Sequence, residues 1–216
     1  MSLTEELLAW NHEQRCREAV KSLDKNRFTA VYCPTRAEAI EYILREAEDS
    51  LTIGFGGSRT LADLGLAEQL RDSGKELYDH NQPGLSPDEK LKAMRNELSC
   101  DLFLCSTNAL TLTGILVNID GVGNRVAAMT FGPKKVVVVA GRNKLVANTD
   151  EALKRIKNHV APPNAKRLNY STPCAKTGFC IDCSSPERIC NVINIMEKKT
   201  LRSDIRVLVV NEDLGF

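Results

Sequence analysis

The sequence predicts an α/β protein in which a mainly parallel sheet is flanked by helices. Short apolar runs alternate with helix-like patterns along most of the 216 residues, which favours parallel strands joined by crossover helices. Residues 136–140 form the most apolar run, as expected for a strand that is buried on both faces. Glycine and polar residues follow several of these runs, and ligands of open α/β sheets bind where parallel strands end.

Each element is predicted from its hydrophobic period and its end signals. Capping boxes at Thr35–Glu38 and Ser86–Glu89 open two helices, and the prolines after Ala161 are expected to break another. The predicted helices cover residues 3–23, 35–47, 59–72, 86–99, 124–131 and 149–159. The predicted strands cover residues 28–33, 51–55, 76–78, 101–105, 110–113, 116–119, 136–140 and 205–210. We expect a single domain over residues 1–216, with a cysteine-rich segment at 170–195 inserted before the last strand.

Composition excludes several classes of partner. The 29 basic and 28 acidic residues leave a net charge of +1, so no overall field attracts nucleic acid or an anionic membrane. Aromatic residues are only 5% of the chain, which leaves few platforms for stacking bases. The acidic amino terminus lacks the pattern of a signal peptide, and no apolar run approaches the ~20 residues that span a bilayer. We therefore expect a cytoplasmic protein without membrane insertion, whose cysteines are thiols or metal ligands.

A glycine loop follows the second predicted strand and is the first candidate for ligand binding. It reads Gly54-Phe-Gly-Gly-Ser-Arg-Thr60, and it matches neither a Walker loop nor a dinucleotide fingerprint. Glycines let backbone amides approach an anion closely, so Gly56, Gly57, Ser58 and Thr60 are predicted to contact one. The alternative is a tight strand-to-helix turn in which the serine only caps the helix.

The loops between residues 106 and 146 supply the other candidate site residues. Three turns rich in glycine and polar residues follow three predicted strands, which favours one shared site. The residues predicted to bind the anion here are Asn108, Thr113, Gly114, Gly121, Asn124, Arg125 and Arg142. The predicted catalytic residues are Asp120 and Glu212 as acid or base and Lys144 as charge stabiliser. An aspartate in an Asp-Gly turn can equally brace that turn, and the basic residues can equally be solvated surface charge.

Four cysteines within 17 residues form the strongest local chemical signal. Their spacing is Cys174-x5-Cys180-x2-Cys183-x6-Cys190, in a segment with little core of its own. Thiolates are ligands for iron–sulfur clusters and for zinc, and one Cys-x2-Cys pair does not decide between them. We expect a [4Fe–4S] cluster, with zinc or unmetallated thiols as alternatives. The three histidines show no metal-ligand spacing and are assigned no role.

These motifs together resemble the LUD domain, a family named for lactate utilization. The matching segments are Gly54–Thr60, Ser106–Gly114, Asn118–Arg125, Phe131–Pro133, Gly141–Lys144, Arg188–Cys190 and Glu212–Gly215. The resemblance implies a fold similar to sugar-phosphate isomerases and CoA-transferases, whose ligands lie against loops placed like residues 56–60 and 120–125. It also implies a part in oxidising lactate to pyruvate, together with iron–sulfur partner proteins.

Three functions are compatible with the sequence. The preferred one is a redox subunit that binds a small anionic metabolite, such as a 2-hydroxy acid, and an iron–sulfur cluster. The second is a non-redox enzyme acting on a phosphorylated or CoA-linked compound, with a structural zinc. The third is a regulatory or assembly module without catalysis. The sequence does not decide whether the chain is catalytic alone or whether it forms a homodimer.

Overall fold

A computed structural model describes residues 2–216, and these residues contain nine α-helices and ten β-strands. The helices are α1 (Leu3–Lys25), α2 (Arg36–Ala47), α3 (Arg59–Leu64), α4 (Leu66–Asp72), α5 (Pro87–Asn96), α6 (Asn124–Thr130), α7 (Thr149–Arg155), α8 (Ala161–Arg167) and α9 (Pro173–Thr177). The strands are β1 (Thr29–Cys33), β2 (Thr52–Phe55), β3 (Glu76–Asp79), β4 (Leu102–Ser106), β5 (Ala109–Thr111), β6 (Leu116–Asp120), β7 (Lys135–Gly141), β8 (Leu145–Val146), β9 (Val192–Met196) and β10 (Asp204–Val210). None of these helices is both long and apolar enough to cross a membrane.

Six strands form the main sheet, in the order β1-β10-β7-β4-β2-β3, and every neighbouring pair is parallel. Strand β7 is central, and its Val138 pairs with Cys105 of β4 on one side and Val207 of β10 on the other. Helices flank the sheet, so the predicted α/β class is confirmed. Because all six strands run the same way, their carboxyl ends meet at one edge of the sheet.

The central strand is buried on both faces, which explains its continuous apolar run. Val136 and Val138 belong to a core cluster that includes Leu23 of α1 and Met129 of α6. Val137 and Val139 belong to the opposite cluster, with Ile43 of α2 and Leu70 of α4. Alternate side chains of a strand point to opposite faces, so β7 contributes to both cores.

A second, mixed sheet was not predicted. Its order is β8-β5-β6-β9, with β5 and β6 antiparallel, as are β6 and β9. The strands expected at 110–113 and 116–119 lie here and not in the parallel sheet. Only four residues separate β5 from β6, and parallel neighbours need a crossover of a dozen or more residues. Strand β9 was missed, and it overlaps the end of the segment expected at 170–195.

The prolines after Ala161 do not end the helical run, contrary to expectation. Helix α7 continues through a π-helical turn at Ile156–Val160 directly into α8. Pro162 lies in the first turn of α8, where proline is tolerated because its missing N–H would lack an intrahelical partner. The π-helical turn, in which hydrogen bonds join residues five apart, therefore comes just before the two prolines.

Helix α1 covers the core with its second half only. Ala19 and Leu23 are fully buried, as the predicted amphipathic pattern requires. Leu3, Leu7 and Leu8, which belong to the same predicted apolar pattern, are more than half exposed. The amino-terminal turns of α1 therefore have no core beneath them.

Candidate functional site

A cleft of about 740 Å³ lies at the carboxyl edge of the main sheet, within the size range of small-molecule sites. The loops that follow β2, β3, β4 and β7 each contribute to it. The turn after β6, helices α5 and α8, the turn between α7 and α8, and residues 186–191 form most of its other walls. Parallel strands thus bring segments distant in sequence to one site.

Lys144 lies in the wall of this cleft and is almost completely buried, with 4% of its surface exposed. Its Nζ is 2.7 Å from Oγ1 of Thr60, 2.8 Å from Oγ of Ser106 and 3.2 Å from the carbonyl oxygen of Thr107. Burial, with repulsion from Arg155 and Arg125, lowers the pKa of Lys144 to about 7. The same desolvation favours the neutral form of this amine more than in an exposed lysine.

Arg125 braces the cleft and has no N–H donor left for a ligand. Its five N–H donors are bonded to five protein oxygens, which belong to Ser106, Asn108, Asn118, Ile119 and Asp120. The Nε of Arg125 is 3.2 Å from Oδ2 of Asp120, whose other oxygen accepts the N–H of Gly123. Both residues line the cleft as predicted, but their hydrogen bonds hold the turn together.

The glycine loop borders the cleft, and the structure shows why two of its positions are occupied by glycine. A Cβ on Gly56 would lie 2.7 Å from Cζ of Phe103, and Gly57 has φ +49°, which favours glycine. Ser58 accepts the N–H of Leu61 and caps α3, so the capping interpretation of this serine holds. The loop is therefore a tight turn that also lines the cleft.

A histidine and a buried glutamate form a further pair that the sequence analysis missed. His80 follows β3 and lines the cleft, and its Nδ1 lies 2.6 Å from Oε1 of Glu97. Glu97 is fully buried, and its Oε2 accepts the side-chain N–H of Asn124 at 2.9 Å. His80 lies just after the strand predicted at 76–78, and this position could have indicated a site residue. Nothing in the sequence indicates that Glu97 belongs to the site.

Cationic side chains dominate the lining of the cleft. Besides Arg125 and Lys144 they are Arg59, Lys90, Arg167 and Arg188, against the two carboxylates Asp120 and Glu187. Arg59 is paired with Asp63 at 2.8 Å. The side chain of Arg167 bonds only the neutral Asn164, and within residues 2–216 neither Arg167 nor Lys90 has an ion-pair partner. Burial and the nearby Arg59 lower the pKa of Arg167 from its usual value.

Ten of the residues predicted for catalysis or anion binding line the cleft, and four others lie elsewhere. Those lining it are Gly56, Gly57, Ser58, Thr60, Asn108, Asp120, Gly121, Asn124, Arg125 and Lys144. Thr113 and Gly114 instead receive hydrogen bonds from Asn26 at the end of α1. Arg142 pairs with Asp213, and Glu212 pairs with Arg36. Arg142 follows β7 and Glu212 and Asp213 follow β10, but none of the residues in these two ion pairs lines the cleft.

The four cysteines of the predicted metal segment line one small cavity beside the cleft. Cys174, Cys180, Cys183 and Cys190 are all free, partly buried thiols in its wall. The N–H of Asp182 is 3.3 Å from Sγ of Cys180, a contact suited to a thiolate. Among residues 2–216, no three His, Cys, Asp or Glu side chains are spaced as ligands of one ion. The donor chemistry fits a thiolate-held centre, although the side chains are not closed around one.

Cysteines outside this segment are buried among apolar side chains. Cys33, Cys100 and Cys105 lie in or beside strands and are almost inaccessible to solvent, as predicted. Burial raises the pKa of the Cys105 thiol to about 12. Such thiols are inert, so only residues 174–190 provide accessible thiols within the described part of the chain.

Fold and cleft together define an α/β protein with a ligand-sized, cationic cleft at the carboxyl edge of a parallel sheet. The family model described as the LUD domain matches residues 16–210, so the chain belongs to the LUD domain family. The crystal structure of a DUF162 family protein from Deinococcus radiodurans at 1.70 Å resolution is similar, with a TM-score of 0.54 and 13% sequence identity. The match covers 92% of this chain and 98% of that chain, and at this identity it supports the fold alone. Among proteins of curated function, none matches the chain.

Proposed function

We propose that this LUD domain protein is an enzyme that binds a small anionic metabolite in the cleft at the carboxyl edge of the main sheet. The observation that carries the proposal is the pair of cations, Arg167 and Lys90, that line the cleft without an ion-pair partner within residues 2–216. Both side chains are exposed to solvent, so a ligand carboxylate or phosphate would pair with them without displacing a protein carboxylate. A 2-hydroxy acid, or a phosphorylated or CoA-linked compound, satisfies this requirement.

Lys144 is the residue we assign to the chemistry of this ligand. Its lowered pKa, about 7, places it where a side chain both takes and returns protons at neutral pH. Thr60 and Ser106 fix its Nζ through their hydroxyl oxygens. In its charged form Lys144 would also stabilise negative charge that develops on the ligand.

A redox role is the more specific form of this proposal, and one observation favours it. Cys190 and its neighbours Arg188 and Ile189 line both the cleft and the cysteine cavity, so the two share a wall. Cys174, Cys180, Cys183 and Cys190 would hold a [4Fe–4S] cluster, with zinc as the alternative. Such a cluster, when bound, would exchange electrons with iron–sulfur partner proteins in the cytoplasm. A zinc would instead make the segment a structural wall of the cleft.

Calorimetric titration tests the anion-binding proposal. The probes are lactate, pyruvate, inorganic phosphate and CoA, each added at up to millimolar concentration to the wild type, Arg167→Ala and Lys21→Ala. Lys21 is an exposed cation of α1 outside the cleft, so its variant matches the loss of one charge. We expect at least one probe to bind, and Arg167→Ala to weaken it by about tenfold through the loss of a charge-assisted hydrogen bond.

Two results would contradict this proposal. One is that none of the four probes binds to the wild type. The other is that Arg167→Ala and Lys21→Ala change the affinity equally, because a general charge effect would then explain the binding.

A further inference from the structure

The pair formed by His80 and Glu97 has the arrangement of a proton-transfer couple. Glu97 has no solvent-exposed surface, and both of its carboxylate oxygens are used. One oxygen lies 2.6 Å from Nδ1 of His80, and the other accepts a hydrogen bond from Asn124. A carboxylate so placed accepts the Nδ1–H proton, which leaves Nε2 of the neutral ring unprotonated.

The second ring nitrogen is left for a ligand. Within residues 2–216, no protein group is hydrogen-bonded to Nε2 of His80, and the ring lines the cleft. A Cβ on residue 57 would lie 3.1 Å from Nε2, so the glycine at this position keeps that side of the ring open. The His80 side chain is 14% exposed, so Nε2 is accessible from the cleft while Nδ1 is held by a buried carboxylate.

We propose that His80 is a catalytic acid–base residue of the cleft and that Glu97 is its positioning residue. The inference rests on the proposed function, in that the cleft must hold a ligand. Nε2 would take a proton from a ligand O–H or acidic C–H group, and the electron pair of that bond would stay on the ligand. The imidazolium that forms would be stabilised by Glu97 at Nδ1, and the same proton would later be returned.

This assignment restricts the class of ligand further. The molecule should carry an exchangeable hydroxyl or an acidic carbon next to its anionic group, because the cleft holds both cations and a proton acceptor. Lys144, whose pKa is lowered by burial, is a second proton-carrying side chain in the wall of the same cleft. Two such groups allow one to remove a proton while the other donates one.

The tautomer of His80 is the first test, and it needs no ligand. Two-bond ¹H–¹⁵N correlation spectra of protein labelled with ¹⁵N-histidine distinguish the two neutral forms, and His80→Asn assigns the signal among the three histidines. We expect the form protonated at Nδ1 in the wild type. A ring protonated at Nε2 and free at Nδ1 would overturn the proposal.

The reactivity of Nε2 is the second test. Diethyl pyrocarbonate modifies unprotonated imidazole nitrogen, and mass spectrometry of peptides separates His80 from His12 and His159. We expect Glu97→Ala to slow modification of His80 by about tenfold, since a hydrogen bond to a charged group biases the tautomer by that much. Glu97→Gln is the second variant, because it preserves volume should the alanine variant not fold.

The outcomes separate this inference from the proposed function. A rate at His80 that neither Glu97 variant changes would overturn the positioning role. His80→Asn should leave the affinity for the anionic probe within about threefold of wild type, because the probe is held by the cations. Absence of anion binding with the expected tautomer would reject the proposed function and the catalytic role that rests on it, and would leave the pairing of His80 with Glu97 intact.

Discussion

Nζ of Lys144 lies 2.7 Å from Oγ1 of Thr60, although 84 residues separate the two in sequence. Thr60 lies in the first turn of the helix after β2, and Lys144 ends the short 3-10 turn after β7. Ser106, at the end of the intervening strand β4, bonds the same nitrogen. The carboxyl ends of three parallel strands thus place the buried amine of Lys144 next to the hydroxyl groups of Thr60 and Ser106.

Lys144→Met should change how stability depends on pH. The pKa of Lys144 is about 7 in the folded protein, against 10.5 for an unperturbed lysine such as that of the unfolded chain. Between these values the unfolded chain holds the proton and the folded protein does not, so wild-type stability rises with pH. The rise should be about 1.4 kcal/mol per pH unit relative to Lys144→Met, and denaturant unfolding at several pH values measures it.

Lys21→Met is the matched control for this effect. Lys21 is exposed on α1, so its replacement should leave the pH dependence parallel to that of the wild type. A constant difference in stability between wild type and Lys144→Met from pH 7 to 10 would show that the lysine keeps an ordinary pKa.

Gly114→Ala should destabilise the protein much more than Gly74→Ala. Both glycines have almost the same backbone angle, with φ +77° and +76°. A Cβ on Gly114 would lie 2.5 Å from the carbonyl carbon of Ser22 in α1, whereas one on Gly74 meets no atom within 4 Å. We expect a loss of about 1 kcal/mol at Gly74 from backbone strain and of at least about 3 kcal/mol at Gly114.

Thermal and denaturant unfolding of the two variants would measure this difference in stability. Equal losses would mean that the contact between the turn after β5 and helix α1 adjusts without cost. The comparison therefore measures how tightly α1 is held against the second sheet.

Arg125→Lys should be strongly destabilising even though the charge is retained. Lysine cannot reproduce the planar set of five N–H donors with which Arg125 binds its protein acceptors. Buried oxygens would lose partners, at a cost of about 3 kcal/mol. Arg71→Lys, on the exposed surface of α4, is the control and should change the free energy of unfolding by less than about 0.5 kcal/mol. A loss at Arg125 no larger than at Arg71 would contradict its role as a brace.

Cys183→Ser should remove the metal from anaerobically purified protein. We expect the wild type to carry about four iron and four sulfide per chain, or about one zinc if the alternative holds. Elemental analysis and the visible absorption spectrum measure both. Cys33→Ser should retain the wild-type metal content, because Cys33 is buried in β1 outside the segment. Unaltered metal in Cys183→Ser would remove this residue from the ligand set.

The sequence predicted the main sheet better than the second sheet. Strands β2, β4, β7 and β10 carry short apolar runs that only burial explains, and their positions were found from those runs. Strand β9 was missed because Val192, Ile193 and Ile195 are partly exposed at the edge of the mixed sheet. An exposed edge strand interrupted by asparagine has no regular hydrophobic period.

The sequence predicted the location of the candidate site better than the roles of its residues. The glycine loop, Asn108, Asp120 and Lys144 were expected at one edge, and they line one cleft. Arg125 was expected to bind the anion, yet its donors are consumed by the protein. Glu212 was expected to act as acid or base, yet it lies outside the cleft in an ion pair with Arg36. Hydrogen bonding between distant loops decides these roles, and no local pattern encodes it.

The amino-acid sequence by itself determined the α/β class, the helix starts at Thr35 and Ser86, and the edge at which a site forms. These properties depend on local period, capping and strand direction. The tertiary structure alone decided which side chains meet: Lys144 with Thr60, His80 with Glu97, and the four cysteines beside the cleft. The tertiary structure also decided the pKa of Lys144 and the hydrogen bonding of these side chains. Desolvation and hydrogen-bond partners exist only once separate strands and loops are packed together.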